Sequence, residues 1–283
     1  MIITILVENS TISKAYTNKH GLCIHLKTEK HSILFDLGSD DTFIKNAKKL
    51  NIDIKDVDIV IISHGHKDHG GGLKAFIDYN DKALIYISKY GFKDYYASFL
   101  KYIKFYIGLD QELKENKRII LTDEIYCINQ EIKLISNITG SLLVPKGNKD
   151  LLVKDREKFI LDKFKHEQHL ILKENGRSIL ISGCSHTGIL NILQESEEKA
   201  GVKIDLIIGG MHLYNPINRK TEDLRFINEL GSRLLEKDIK IYTCHCTGLK
   251  AFEVLSNILG KNIKTLKTGQ IIELVNKDLS FTY

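Results

Sequence analysis

The chain has 283 residues, 41 of them basic and 36 acidic, which leaves a net charge of +5 with histidine neutral. At 43% hydrophobic and 27% charged with two prolines, the composition is that of a soluble globular protein with a large core, and it excludes disordered, collagen-like and disulfide-stapled chains. The small, mixed-sign basic excess argues against a nucleic-acid footprint and suits a small anionic substrate.

The apolar opening from Met1 to Val7 is broken by Glu8 and has neither a charged leader nor the length of a membrane span, so a cytoplasmic protein with no membrane partner is expected. Cys23, Cys127, Cys184, Cys244 and Cys246 form an odd, dispersed set, and reduced thiols follow from that. Strand signals run over 2–7, 22–27 and 32–36, followed by helical spacing over 42–50, with Phe43, Ile44, Ala47 and Leu50 on one face and Asp41 or Thr42 as the cap. The apolar run from Asp58 to Ser63 then reads as a buried strand that ends in His64-Gly-His-Lys-Asp-His-Gly-Gly-Gly72. From Phe92 to Tyr106 aromatics and lysines alternate in a way that predicts an amphipathic helix, part of a lid-like helical insertion at about 89–118. Residues 145–158 read as an exposed loop.

The second half repeats the plan of the first. Leu170 to Leu172 and Ser178 to Ser182 parallel the first hairpin, and Ile204 to His212 echoes Val57 to His64. Two β-rich halves with flanking helices predict two packed sheets with helices outside, within a single domain over 1–283.

His64, His66, Asp68 and His69 fall within six residues at the end of a buried strand. Neutral imidazoles and a carboxylate so placed can converge on zinc, manganese or iron, and Gly65 and Gly70 to Gly72 permit the tight backbone approach. No Ser-His-Asp order, phosphate loop or Cys-x-x-Cys pair competes with this reading. In the second half Cys184 and His186 are plausible ligands, Cys184 also being readable as a small buried residue. His212 suits metal binding or substrate polarisation, and His245 ends the strand-like run 239–243. Cys244 and Cys246 flank His245 and would point away from it if that strand continued. His25 and His31 read as exposed, while His166 and, more remotely, Glu167 remain open as the missing ligand.

The run Ser63 to Gly72 resembles the His-x-His-x-Asp-His signature of the metallo-β-lactamase superfamily. The resemblance implies an α/β, four-layer αββα sandwich of two similar halves, in which His64 and His66 serve one metal and Asp68 and His69 a second. It also implies that His245 is the last ligand of the second metal, that Cys184 stands where an aspartate is usual, and that Asp36 supports the metal loop through hydrogen bonds. Two zinc ions are the implied cofactors, with manganese or iron as alternatives; Asp68, placed to ligate or to accept a proton, and His212, in the repeat's copy of the metal strand, are the expected catalytic groups. His20-Gly-Leu22, Ser182 to Gly188, Gly209 to Leu213 and Cys244 to Gly248 further resemble the dihydropterin-ribofuranosylaminobenzene phosphate synthase branch. That branch implies a condensation of a pterin pyrophosphate with an aminobenzene ribosyl phosphate. The expected activity is therefore a metal-dependent hydrolase or transferase on a phosphorylated or anionic small molecule, with Lys93, Lys101, Lys104 and Arg219 as phosphate contacts. A lactonase or thioesterase-type acyl hydrolase and a non-catalytic iron-binding sensor are the alternatives.

Overall fold

The computed structural model describes residues 1–100 and 102–274. Its tertiary contacts divide the chain into two compact units that interleave in sequence. The first comprises Met1–Phe92, Leu109–Thr122 and the described residues from Leu266 on; the second comprises Lys93–Gly108 and Asp123–Thr265.

The first unit is built on a seven-stranded mixed sheet in the order Ile271–Glu273, Ile2–Val7, Cys23–Lys27, Ser32–Phe35, Ile59–Ile62, Leu84–Ser88, Ile119–Thr122. The strands up to Ser32–Phe35 pair antiparallel and the remainder parallel. The strand Ile59–Ile62 is buried at every position, as expected of a central parallel strand covered on both faces. The predicted helix forms over Thr42–Lys49, burying Phe43 and Ala47 beneath a lysine-rich outer face. Its Asn46 donates to Leu6 O at 2.7 Å and to Thr17 O at 2.8 Å, which ties it to the first strand and the following loop. Phe43, Ala47, Leu73 and Phe76 from the helices join Leu34, Val60, Ile62 and Ile85 from the strands in one core.

In the second unit the order is Ile263–Thr265, Lys240–Thr243, Leu206–Gly209, Arg177–Ser182, Gln168–Glu174, Ile132–Ser136, Ile125–Cys127. An antiparallel hairpin again passes into three parallel pairings, so the repeat read in the sequence is a repeat of topology. One detail recurs at the level of single atoms. Asp58 accepts from Ser32 N at 3.1 Å where the first hairpin meets its parallel neighbour, and Asp205 accepts from Ser178 N at 2.8 Å at the matching place. Helices Ile189–Ala200, Leu224–Glu236 and Leu249–Leu259 supply the apolar side chains of this core, among them Ile192, Ile227, Leu234 and Leu255.

The insertion expected at about 89–118 is not helical. Tyr95–Phe99 and Ile103–Tyr106 are antiparallel strands, joined by Leu151–Asp155 and Lys158–Leu161 into a separate four-stranded sheet, while Gln111–Glu115 is a short 3-10 turn in the first unit. Phe92, Tyr95, Tyr96 and Phe99 fit a helical spacing. Aromatic side chains also favour the pleated surface of a strand, where they meet partners across the sheet. Tyr96 does so, edge-on to Tyr106 at 5.4 Å and to Phe159 at 4.9 Å between ring centroids. The loop expected at 145–158 is likewise corrected: Lys146–Asp150 is a 3-10 turn and Leu151–Asp155 a paired strand. Among the described residues, no helix is long and apolar enough to cross a membrane.

Candidate metal centre

The first unit places its donors where the strand Ile59–Ile62 runs out. Ser63, His64, His66 and His69 are buried, and the helical turn Lys67–Gly70 brings His69 back over the loop, its amide donating to His66 O at 3.0 Å. The His64 ring centroid lies 4.5 Å from that of His66 and 4.2 Å from that of His69. Glycine serves this turn through space rather than through a left-handed φ. Gly71 is right-handed, but a Cβ on it would lie 2.4 Å from Lys67 O and 2.5 Å from Ser39 O.

Asp36 organises the loop from the neighbouring strand end, at a positive φ of 60°. Its fully buried carboxylate accepts from Ser63 N at 2.7 Å and Ser63 Oγ at 2.8 Å, and it pairs with His69 Nδ1 at 2.6 Å. A carboxylate on Nδ1 fixes the tautomer with the lone pair on Nε2, the arrangement usual for a ligating histidine. Asp36 thus ties Ser63 and His69, at the two ends of the loop, to one carboxylate. Burial and then the charge of Asp36 push the Cys23 thiol well above the usual range. Asp68 is partly exposed, with its carboxylate 3.2 Å from His20 Nε2 and 3.7 Å from His69 Nε2. His20, noted in the sequence only as part of a motif, thus stands beside the proposed catalytic aspartate.

The second unit collects its donors from three successive parallel strand ends. After Arg177–Ser182 come Cys184 and His186; after Leu206–Gly209 comes His212; after Lys240–Thr243 come His245 and Cys246. All five are buried. One donor atom each from Cys184, His186 and His212 lie within 4.8 Å of one another, and the same holds for Cys184, His245 and Cys246. Both ring nitrogens of His212 are buried, with the Cys246 thiol beside the ring, and a bound cation would take up one nitrogen lone pair. Three side chains hold His186. Asn148 meets its Nδ1 at 3.0 Å and donates to its carbonyl at 2.7 Å, Glu167 accepts from its amide at 2.7 Å, and Phe164 stacks on its ring at 4.3 Å between centroids. Glu167 also accepts from Thr187 N and Oγ, so it positions the loop much as Asp36 does in the first unit.

Cys246 departs from expectation. The strand does not continue past Thr243: His245 takes a positive φ of 51° and opens a 3-10 turn, which brings the Cys246 sulfur to the same side as a His245 nitrogen. Burial works against ionisation of this thiol, but Cys184, His212 and His245 beside it outweigh burial and hold it well below the usual thiol range. His166 is not gathered with the donors. It pairs with Asp162 at 2.8 Å and stacks on Tyr95 at 3.9 Å between centroids. His25, expected to be exposed, is buried and bonded to Ser32 Oγ at 2.9 Å. Lys93, Lys104 and Arg219 are exposed, and Lys101 lies outside the described residues.

A family profile described as the metallo-beta-lactamase superfamily matches residues 17–186. The 7,8-dihydropterin-6-methyl-4-(beta-D-ribofuranosyl)-aminobenzene-5'-phosphate synthase of Methanocaldococcus jannaschii is 28% identical, covering 96% of each chain. An uncharacterized protein of the same organism is 29% identical over 91% of this chain and 94% of its own. Among solved structures, Tm1679, a metal-dependent hydrolase of the beta-lactamase superfamily, superimposes with a TM-score of 0.81 at 28% identity, over 98% of this chain and 100% of that one.

Proposed function

The chain belongs to the metallo-β-lactamase superfamily, and from that premise we propose that it is a metal-dependent hydrolase or transferase acting on a phosphorylated or otherwise anionic small molecule, with two zinc ions as its cofactors. The observation that carries this reading is the donor chemistry. Buried imidazoles in each unit are oriented through Nδ1, His69 by Asp36 and His186 by Asn148, and His212 buries both ring nitrogens beside the Cys246 thiol. Such a set fits a borderline divalent cation. When bound, that cation supplies Lewis acidity toward a phosphoryl or acyl oxygen.

The residues themselves do the positioning. Asp36 holds the His69 Nδ1 proton and, through Ser63, sets the entry of the His64 loop. Asn148 and Glu167 fix the ring and the backbone of His186. Asp68 with His20, only partly covered, is the pair placed to take up or return a proton at the substrate. The likeness to the pterin-linked synthase supports a phosphorylated substrate, and a condensation of that type is the transferase form of the proposal.

Metal analysis of the purified protein, beside parallel assays on aryl phosphates, phosphodiesters, lactones, thioesters and pterin precursors, tests this reading. Bound zinc with turnover of a phosphorylated substrate is the expected result. Turnover confined to lactones or thioesters would make the chain an acyl hydrolase, and stable iron with no turnover of any substrate would make it a sensor.

A further inference from the structure

Cys184 and Cys246 sit 62 residues apart in sequence, yet the Cys246 thiol lies 3.6 Å from the Cys184 carbonyl, and both sulfurs fall within 4.8 Å of each other and of a His245 nitrogen. The sequence assigns a ligand role to Cys184 and none to Cys246. A buried thiol that merely fills space needs only apolar neighbours. Cys246 has more than that. The amide of His212 donates to its sulfur at 3.2 Å, the kind of N–H contact that tunes a metal thiolate. Gly210 clears room for it, since a Cβ there would lie 2.5 Å from the sulfur. The turn that carries it is braced by Thr247, whose hydroxyl meets Thr243 Oγ at 2.6 Å and accepts from Met211 N at 3.0 Å.

We propose that Cys184 and Cys246 both ligate metal, so that the second unit offers a two-sulfur donor set completed by His245 and His212. Each thiol gives up its proton to solvent as the sulfur–metal bond forms, and the site selects zinc or another soft to borderline cation over magnesium or calcium. This rests on the reading that the unit binds a divalent metal.

Zinc-edge X-ray absorption on the zinc-loaded, full-length protein tests it. The expected spectrum has a sulfur shell at about 2.3 Å beside a nitrogen and oxygen shell at about 2.0–2.1 Å. Cys246→Ser and Cys184→Ser should each remove about half of the sulfur amplitude, as one of two thiolates is lost, whereas Cys127→Ser, at an exposed position, should leave it intact. Sulfur amplitude unchanged in Cys246→Ser overturns the inference. Zinc bound through nitrogen and oxygen alone also overturns it, while leaving the proposed function standing; no zinc bound at all overturns both. If Cys246→Ser does not fold, a Cys184→Ser, Cys244→Ser double variant carries the test, because a sulfur shell that survives in it reports Cys246, and its loss refutes the assignment.

Discussion

The two units share a topology but not a donor chemistry. In the first, imidazoles and a carboxylate cluster on one loop after one strand, and a single buried aspartate braces them. In the second, two thiols and three imidazoles arrive from three strand ends, and the bracing is divided among Asn148, Glu167 and the paired hydroxyls of Thr243 and Thr247. Duplication of a sheet thus fixes where ligands can stand, at the ends of parallel strands, without fixing which atoms they present or how they are held.

Concentrated bracing should fail more sharply than divided bracing. Asp36→Ala strips the Ser63 amide, the Ser63 hydroxyl and His69 of a fully buried partner, and it should cost about 3–5 kcal/mol in denaturant unfolding. A loss below 1 kcal/mol, well under that range, would erase the contrast between the units.

Next in size is an acid effect. Burial, then the charge of Lys27, lower the His25 pKa to about 4, so the unfolded chain takes up this proton near 6.5 and the folded chain only near 4. The folded state therefore loses stability as pH falls through that window, by roughly 3 kcal/mol when complete. Replacing His25 with glutamine should flatten the pH dependence of the unfolding midpoint there. His169, a buried histidine on the second hairpin two residues from the position that matches His25, bonds Ser182 Oγ at 3.0 Å and is shifted in the same direction by burial. A second flattening in His169→Gln would extend the likeness of the halves to their acid response.

Divided bracing predicts a milder result. Asn148→Ala should leave folding intact and weaken zinc binding by about 10–100-fold, read by competition with a chelator. The smallest expected effects belong to the repeated clamps. Measured in a His31→Ala background, which removes the second contact of Asp58 at 3.0 Å to His31 Nδ1, Asp58→Ala should cost about 1 kcal/mol, nearly the same as Asp205→Ala, because each then removes one bond to the equivalent serine amide. Unequal costs would show that the halves bear different loads at their matching joints.

Much of this was legible in the chain. The run Asp58 to Ser63 announced a buried strand because continuous branched apolar residues need cover on both faces, and the polar loop that followed could only be its end. The repeat was visible because hairpin and strand return at nearly equal spacing. What could not be read was whatever depended on distant partners or on a single dihedral angle. Asn148 and Glu167 carry no local mark of their hold on His186, 38 and 19 residues away. Strand alternation would turn Cys246 away from His245, and one left-handed residue, His245, cancels that alternation. The aromatic stretch from Phe92 misled because its spacing satisfies a helix and a strand equally well, and only the cross-strand contacts of Tyr96 decide between them.

The first strand, Ile2–Val7, has as its outer neighbour Ile271–Glu273, and Glu8 N donates to Thr268 Oγ across 260 residues at 2.8 Å. During synthesis the chain must therefore reach Ile271–Glu273 before Ile2–Val7 can complete its hydrogen bonding. Until then the nascent first unit presents a bare β-edge, open to pairing with neighbouring chains. Such a long wait makes production of this protein sensitive to translation speed and to chaperone supply in a way that its finished stability would not disclose.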